Sequence, residues 1–574
     1  MCGFVGYIQQ KKDQVPLKIL KNCLDQVKHR GPDGHGLYTH DLVGLSHHRL
    51  SIFDTSNAGH QPMERGDHVL IFNGAIYNFL ELKKELEHFS FSSNTDTEVI
   101  MAAYQKWGTD CVKKFNGQWA FALYDKAKDI VFCSRDRYGI KPFYYLEQDD
   151  SFWIGSEIKA LLPNQSELKE NQSLVLDFLQ HGIHDHTEET LFEDIISLPP
   201  ASNLVYDLYD HSYAIEPYYT LPDQVSDDGL DKSINKFRAH FFEALKYRLR
   251  SDVTLGVSLS GGLDSASIAC GISSLGSHPH SVSAIYKEKA YSEEKAIDVT
   301  AKAANLASHK AMVSEQSVLD ALSKVVWYHD QPIASMSVVA QYFNFQKAKE
   351  NNIKVMLGGQ GADETLMGYD SFLKVYLKQL TNPVSLISES LNVALKLPSL
   401  ISKRLHSQNE PIDYLKVQSS YQFSNYANTK EQSHDLISRT VLPALLHYED
   451  RNAMAHGIES RVPYLDHKLV GLILSVPQEH LIKKGVRKHL QREALRDILP
   501  PEILNDNDKK PFISPQEIWM KTNKANYLEL IKGHGPYIEH LVNIDKIDSL
   551  GFRTLFRILT YAIWRKTFFN QALF

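Results

Sequence analysis

Cys2 stands directly after the initiator methionine, in the run Met1-Cys2-Gly3-Phe4-Val5-Gly6. Removal of Met1 leaves a thiol and a free α-amino group on one residue. The amine can then take the thiol proton, so nucleophile and base reside together and no second side chain is needed for activation. A different chemistry is written at Ser260-Gly261-Gly262-Leu263-Asp264-Ser265. Its small residues let backbone amides approach an anion, and a helix starting there adds its partial positive charge. Ser260 and Ser265 add hydroxyl donors. The lysine and the spacing of the G-x-x-x-x-G-K-S/T phosphate loop are absent.

The same string after a buried strand resembles instead the pyrophosphate loop of enzymes that split ATP into AMP and pyrophosphate. Asp264 is out of place beside phosphates unless a cation sits there. A magnesium ion bridging carboxylate and pyrophosphate resolves that conflict. A second glycine-rich turn, Leu357-Gly358-Gly359-Gln360-Gly361-Ala362-Asp363-Glu364, presents further carboxylates at the end of a later strand. Ligands bind at the C-terminal edge of open parallel sheets, so Asp264 and Asp363 are expected to converge on one metal. The alternative for the second turn is a solvated acidic loop.

Two kinds of scaffold are needed to position these groups. Up to about residue 200 the pattern is short strands and turns with two helices, as packed sheets require; 69–72, 121–124, 130–134 and 152–155 read as strands. Residues 203–219 are extended and aromatic-rich, and 221–228 reads as a linker. From about residue 233 strands and helices alternate: strands at 253–259, 281–286 and 354–359, helices at 265–272 and 292–306. That alternation implies a parallel sheet covered on both faces.

Composition narrows the class. A chain of 574 residues has ample material for two to four domains. A net charge of −7 carries no nucleic-acid footprint. Five scattered cysteines, Cys2, Cys23, Cys111, Cys133 and Cys270, form no C-x-x-C pair, which argues against structural zinc and a disulfide framework. No signal peptide and no apolar run of membrane-spanning length is seen, so a cytoplasmic protein with reduced thiols is expected. Partners are expected to be small molecules, with no nucleic acid and no membrane; a homodimer remains open.

Ordered motifs in both segments resemble the glutamine-hydrolysing asparagine synthetases of class B, over nearly the whole chain. In the first segment these are the Cys2 start, His29-Arg30-Gly31-Pro32-Asp33-Gly34, His48-Arg49-Leu50-Ser51-Ile52-Phe53-Asp54, Gln61-Pro62-Met63, Asn73-Gly74-Ala75-Ile76-Tyr77-Asn78 and Thr95-Asp96-Thr97-Glu98-Val99. In the second they are both glycine-rich loops, Tyr448-Glu449-Asp450-Arg451-Asn452-Ala453-Met454-Ala455 and Glu459-Ser460-Arg461-Val462-Pro463-Tyr464-Leu465-Asp466. The resemblance implies an α/β protein. Residues 1–205 would form an α+β N-terminal-nucleophile hydrolase sandwich (αββα), a class II glutamine amidotransferase. Residues 230–574 would form a parallel-sheet adenine nucleotide α-hydrolase-like synthetase domain with added helices.

It also implies roles. Cys2 would attack glutamine's side-chain amide, with the Asn73 side chain and the Gly74 amide as oxyanion hole. Arg49 would pair with glutamine's α-carboxylate through its fork, Asp96 would hold the α-ammonium, and Ala75 would line the same pocket. Read structurally, Arg49 is a surface ion-pair residue and Asp96 a helix N-cap. ATP, the substrate, would be held by Leu259, Ser260, Gly261, Gly262, Asp264, Ser265, Ala284, Gly358, Gly359 and Gln360. Asp264 and Asp363 would bind Mg2+. Lys488, in Gly485-Val486-Arg487-Lys488-His489-Leu490-Gln491-Arg492, matches a family lysine near the phosphates, against the alternative of an ordinary exposed helix lysine. A carboxylate acceptor, aspartate first, would be adenylated, and ammonia from the Cys2 site would cross the interior to attack it. Glu449-Asp450-Arg451-Asn452 belongs either to the site or channel or to a plain helical charge cluster.

Three departures bear on the acceptor. The family usually has Glu where this chain has Ala75, and often Glu where it has Gln360, a side chain that carries neither charge nor base. The family's Arg-x-x-Lys-x-Gly-Phe appears as Asp506-Asn507-Asp508-Lys509-Lys510-Pro511-Phe512. An amidotransferase acting on another carboxylate, such as a uronic-acid sugar or a natural-product acid, is the rival reading. A non-catalytic relative is a third, against which Cys2, Asn73, Gly74, Asp264 and Asp363 all stand.

Overall fold

The computed structural model describes residues 2–11, 16–148, 150–165, 167–226, 228–396, 412–507 and 514–570. The N-terminal part consists of two stacked antiparallel sheets. One runs in the order β10 (Ile195–Ser197), β8 (Tyr144–Gln148), β9 (Ser151–Gly155), β1 (Gly3–Gln9), β3 (Val43–Arg49), β2 (Gly34–His40). The other runs β12 (Tyr213–Pro217), β11 (Ser202–Asp207), β7 (Ile130–Arg135), β6 (Gly117–Asp125), β5 (His68–Ile76), β4 (Met63–Arg65). The aromatic-rich segment 203–219 thus supplies β11 and β12, and the second sheet continues past residue 205.

Strand β1 is buried on both faces because side chains alternate across it. Phe4 and Ile8 meet Val69 and Ile71 of β5 in the core between the sheets. Val5 and Tyr7 point the other way, onto a core shared with α1 (Leu17–Asp25) and α4 (Gln172–His181). On the far side Leu70 and Phe72 of β5 pack under α2 (Phe79–Glu85) and α3 (Thr97–Trp107). The layers therefore run helix, sheet, sheet, helix. Four α-helices, not two, occur here among the described residues. Those missed are short, and at this length amphipathic helix and strand patterns overlap.

After 221–226, where no helix or strand forms, α5 (Leu230–Arg248) leads into the second architecture. Its five strands run β15 (Ala307–Met312), β14 (His280–Ile285), β13 (Leu255–Ser258), β16 (Val355–Leu357), β17 (Glu459–Arg461), and every neighbouring pair is parallel. The crossovers are α6 (Leu263–Ser274), α7 (Glu294–Ala303), α8 (Glu315–His329) and α9 (Met336–Glu350), with further helices after β16. From β13 the chain builds outward through β14 and β15, then returns to place β16 on β13's other side. That reversal between β13 and β16 is where open α/β sheets bind ligands. Among the described residues no helix is long and apolar enough to cross a membrane.

Candidate active sites

Cys2 leads into β1, and Asn73 lies on β5 of the facing sheet. The Cys2 backbone N–H donates to Asn73 Oδ1 at 2.9 Å, which pins the strand's start across the sandwich. The thiol lies against the Leu50 backbone, with Leu50 N 3.5 Å from Sγ. Burial pushes the Cys2 thiol pKa up, with Leu50's amide and Arg49 pulling the other way. Met1 lies outside the described residues.

Asn73 Nδ2 is buried with no hydrogen-bond partner among the described residues. A buried amide donor left open is costly, and its place beside the thiol is where an oxyanion would collect. Strand parity adds a second donor. The N–H groups of Phe72 and Ile76 are taken by Gln61 Oε1 and Asp96 Oδ2 at 2.7 and 2.8 Å. Gly74's N–H, between them in the period-2 alternation, points to the same edge. Ala75 gives only a buried methyl.

Asp96 precedes α3 yet makes no side-chain cap bond there. Its carboxylate reaches Ile76 N instead, and burial raises its pKa to about 6. Arg49 is no surface ion-pair residue: it is buried, and its fork donates to Ser56 O and Asp54 O at 2.7 and 2.5 Å. Those carbonyls hold the guanidinium at the edge of the Cys2 site.

The second site is a cavity of about 740 Å³ at the C-terminal edge of the parallel sheet. Leu259, Ser260, Gly261, Gly262, Asp264, Ser265, Ala284, Gly358, Gly359 and Gln360 all line it, as do Asp363 and Lys488. The loop after β13 turns through Gly261 at φ +83°, a conformation suited to glycine. α6 then begins at Gly262 with no side-chain cap, leaving its first N–H groups open to an anion. The loop after β16 lies alongside, close enough that a Cβ on Gly359 would sit 3.3 Å from Asp264 Cβ.

Both loops meet at Lys488. Its ammonium lies 2.5 Å from Asp264 Oδ2 and 2.6 Å from Asp363 Oδ1. Burial works to neutralise it, but the two carboxylates prevail and its pKa is raised. It is therefore no exposed helix lysine. Lys488 holds φ +55°, a left-handed conformation uncommon for residues other than glycine and found often at functional positions. Gln491 also reaches Asp264 Oδ1, at 3.3 Å.

Two hard-oxygen carboxylates already sharing one cation fit magnesium, which takes one or two carboxylates and fills its remaining positions with substrate phosphates and water. Among the described residues no cluster of three or more His, Cys, Asp or Glu is arranged to hold a metal alone.

Sequence reading missed Gly368. A Cβ there would fall 1.9 Å from Asp363 Oδ1 and 2.4 Å from Lys488 Cε, so only glycine leaves room for the pair. Its signal is a glycine five residues beyond Asp363. Of the Asp506–Phe512 loop, Asp506 and Asn507 line the cavity and residues 508–512 lie outside the described residues.

Buried charge connects the two sites. Arg30 Nε donates to Cys2 O at 2.9 Å, and its guanidinium bonds Glu157 at 2.6 Å and Asp450 at 2.8 Å. Lys141 lies 3.5 Å from Asp450, and Arg451 lies 3.6 Å from Glu157. Burial alone would raise the Asp450 carboxyl, but Arg30 and Lys141 hold it at about 2. The 449–452 run is thus no solvated cluster.

The glutamine amidotransferase domain family matches residues 1–219, and the asparagine synthase family matches residues 236–550, more than half the chain. The chain belongs to the asparagine synthase family. Members are ATP-dependent amide ligases, and this one carries the glutamine amidotransferase domain. Asparagine synthetase (glutamine-hydrolyzing) 1 of Bacillus subtilis is 28% identical over 98% of this chain and 96% of its own length. Asparagine synthetase (glutamine-hydrolyzing) 3 of the same organism is 28% identical over 96% of this chain and 93% of its own. Amidase chry2 of Gibberella zeae is 27% identical over 93% and 89%.

Proposed function

We propose that this asparagine synthase family chain is a glutamine-dependent asparagine synthetase, with a glutaminase unit at 1–205 and a synthetase unit at 230–574. The observation that carries it is the pairing of the two sites: Asn73 Nδ2, with no hydrogen-bond partner among the described residues, beside Cys2, and Asp264, Asp363 and Lys488 gathered at the ATP-sized cavity. Cys2, freed of Met1, attacks glutamine's amide carbon. Asn73 Nδ2 and Gly74 N–H receive the negative charge, and Arg49 and Asp96 hold the α-carboxylate and α-ammonium beside Ala75.

In the cavity, Leu259 and Ala284 meet the adenosine part with backbone groups. Residues 260–265 and Gly358–Gly359 cradle the phosphates, and Gln360 faces the acceptor. Asp264 and Asp363 would hold magnesium, which when bound offsets pyrophosphate charge. Lys488 stabilises charge at the phosphates as aspartate's side-chain carboxylate attacks the α-phosphorus. Ammonia then converts the acyl-adenylate to asparagine. The resemblance to the named synthetases favours aspartate as acceptor.

The test is a product balance. Glutamine, aspartate, ATP and Mg2+ should give asparagine, glutamate, AMP and pyrophosphate in equal amounts. Cys2→Ala should lose glutamine-driven synthesis and keep synthesis from ammonium. ADP and orthophosphate as products, or amidation of another acid without any asparagine, would refute the reading.

A further inference from the structure

Glu449 is a buried carboxylate on the wall of the synthetase cavity whose contacts, among the described residues, are all neutral. Ser460 Oγ donates to its Oε1 at 2.5 Å, Gln360 Nε2 to its Oε2 at 3.5 Å, and Gln341 Nε2 to the same oxygen. Its Oε1 crowds the phosphate-side loop: a Cβ on Gly358 would come within 2.9 Å of it. Asp264 and Asp363 share the Lys488 ammonium; among the described residues no cation touches Glu449, and Lys141, in contact with Asp450, acts on it only from a distance. A buried carboxylate without a counter-charge is unfavourable unless a ligand or a proton completes it.

Its place in the chain says which. The buried charges run from Cys2 through Arg30 to Asp450, and Glu449 is the neighbouring residue of the helix Leu442–Met454. Adjacent helical residues are turned by about 100°, so Asp450 faces the buried network on the Cys2 side while Glu449 faces the cavity. Under the function proposed above, a nitrogen crossing from the Cys2 side past Asp450 would meet this carboxylate and Gln360 on the cavity wall.

We propose that Glu449 is the base of the amide-forming step. The step rests on the acyl-adenylate reading above. The ammonia lone pair forms a bond to the acyl carbon, and the nitrogen gives one proton to a Glu449 oxygen. The bond from that carbon to the phosphate oxygen then breaks and its electron pair leaves with AMP. Glu449 later releases the proton to solvent. Gln341, Gln360 and Ser460 fix the carboxylate by donating to it. Burial also raises the Glu449 pKa, which strengthens it as a proton acceptor.

Glu449→Gln keeps shape and tests the charge. Aspartate-dependent exchange of pyrophosphate into ATP reads adenylation without ammonia, and is expected within about threefold of wild type. Asparagine formation from ammonium should fall at least about a hundredfold, the usual contribution of such a base. Hydroxylamine needs less help in losing its proton, so aspartyl hydroxamate formation should recover most of the loss. Equal losses in exchange and synthesis, or unchanged synthesis, would overturn the proposal. Exchange by the wild-type enzyme tests the adenylation reading separately, and Cys2 glutaminase activity in the variant reports that the chain is folded.

Discussion

Lys488→Met should make the synthetase cavity bind bare Mg2+ more tightly, although it should cripple catalysis. In the unliganded enzyme one ammonium lies 2.5 Å from Asp264 and 2.6 Å from Asp363. Its removal leaves two carboxylates facing each other at roughly 5 Å. At an effective dielectric constant of about 20 their repulsion is about 3 kcal/mol. Their side chains are 20% and 19% exposed, so solvent weakens this. A discounted gain of about 1.5–3 kcal/mol corresponds to one to two orders of magnitude in affinity for a cation that relieves the repulsion. The assay is Mg2+ titration by calorimetry without nucleotide, with thermal unfolding in matched Mg2+ as a check. Asp363→Asn added to Lys488→Met should remove the gain. A variant that binds Mg2+ no tighter than wild type would refute the placement of both carboxylates around one cation site, whatever its activity.

Asn73→Ala should lower glutamine hydrolysis by about 10²–10³, the cost of one oxyanion donor, with Cys2 alkylation by iodoacetamide retained. Asp96 has a raised pKa of about 6. It is protonated below that and charged above, so the KM for glutamine should rise as pH falls through about 6, and Asp96→Asn should show a high, pH-flat KM. Gly368→Ala places a methyl 1.9 Å from Asp363 Oδ1 and should abolish ATP–pyrophosphate exchange while glutaminase activity continues; equal loss of both would point to a folding defect.

Both loops were legible in sequence because their chemistry is local. A strand, small residues, an acid and a helix start lie within about a dozen consecutive residues at 253–265, and the same grammar recurs at 354–364. Parallel strands then bring the two to one edge. Cys2 stands out for a similar reason: its reading as a nucleophile rests on its position in the chain. Whether Arg49 is a surface ion-pair residue and Asp96 a helix cap was not decidable that way. A buried fork bound to carbonyls and a surface ion pair look alike in one dimension, and Asp96 occupies a capping position without capping. The first helices were undercounted because segments of seven to ten residues carry too few turns to display a 3.6-residue period.

What stayed hidden were the charges whose meaning lies in partners far along the chain. Arg30 and Asp450 are separated by 420 positions, and Gln360 and Glu449 by 89. No spacing rule reaches across such gaps. The run Glu449-Asp450-Arg451-Asn452 reads as one helical cluster, yet helix geometry divides it. Asp450 and Arg451 turn into a fully buried ion network whose opposite charges hold one another in place, and truncating one member would leave the rest uncompensated, a loss of about 3–5 kcal/mol. Glu449 turns away from that network into the cavity, where only amides and a hydroxyl meet it. The Gln360 amide donates toward Glu449 at 3.5 Å, so a carboxylate of the helix stands beside this loop position although Gln360 itself carries none.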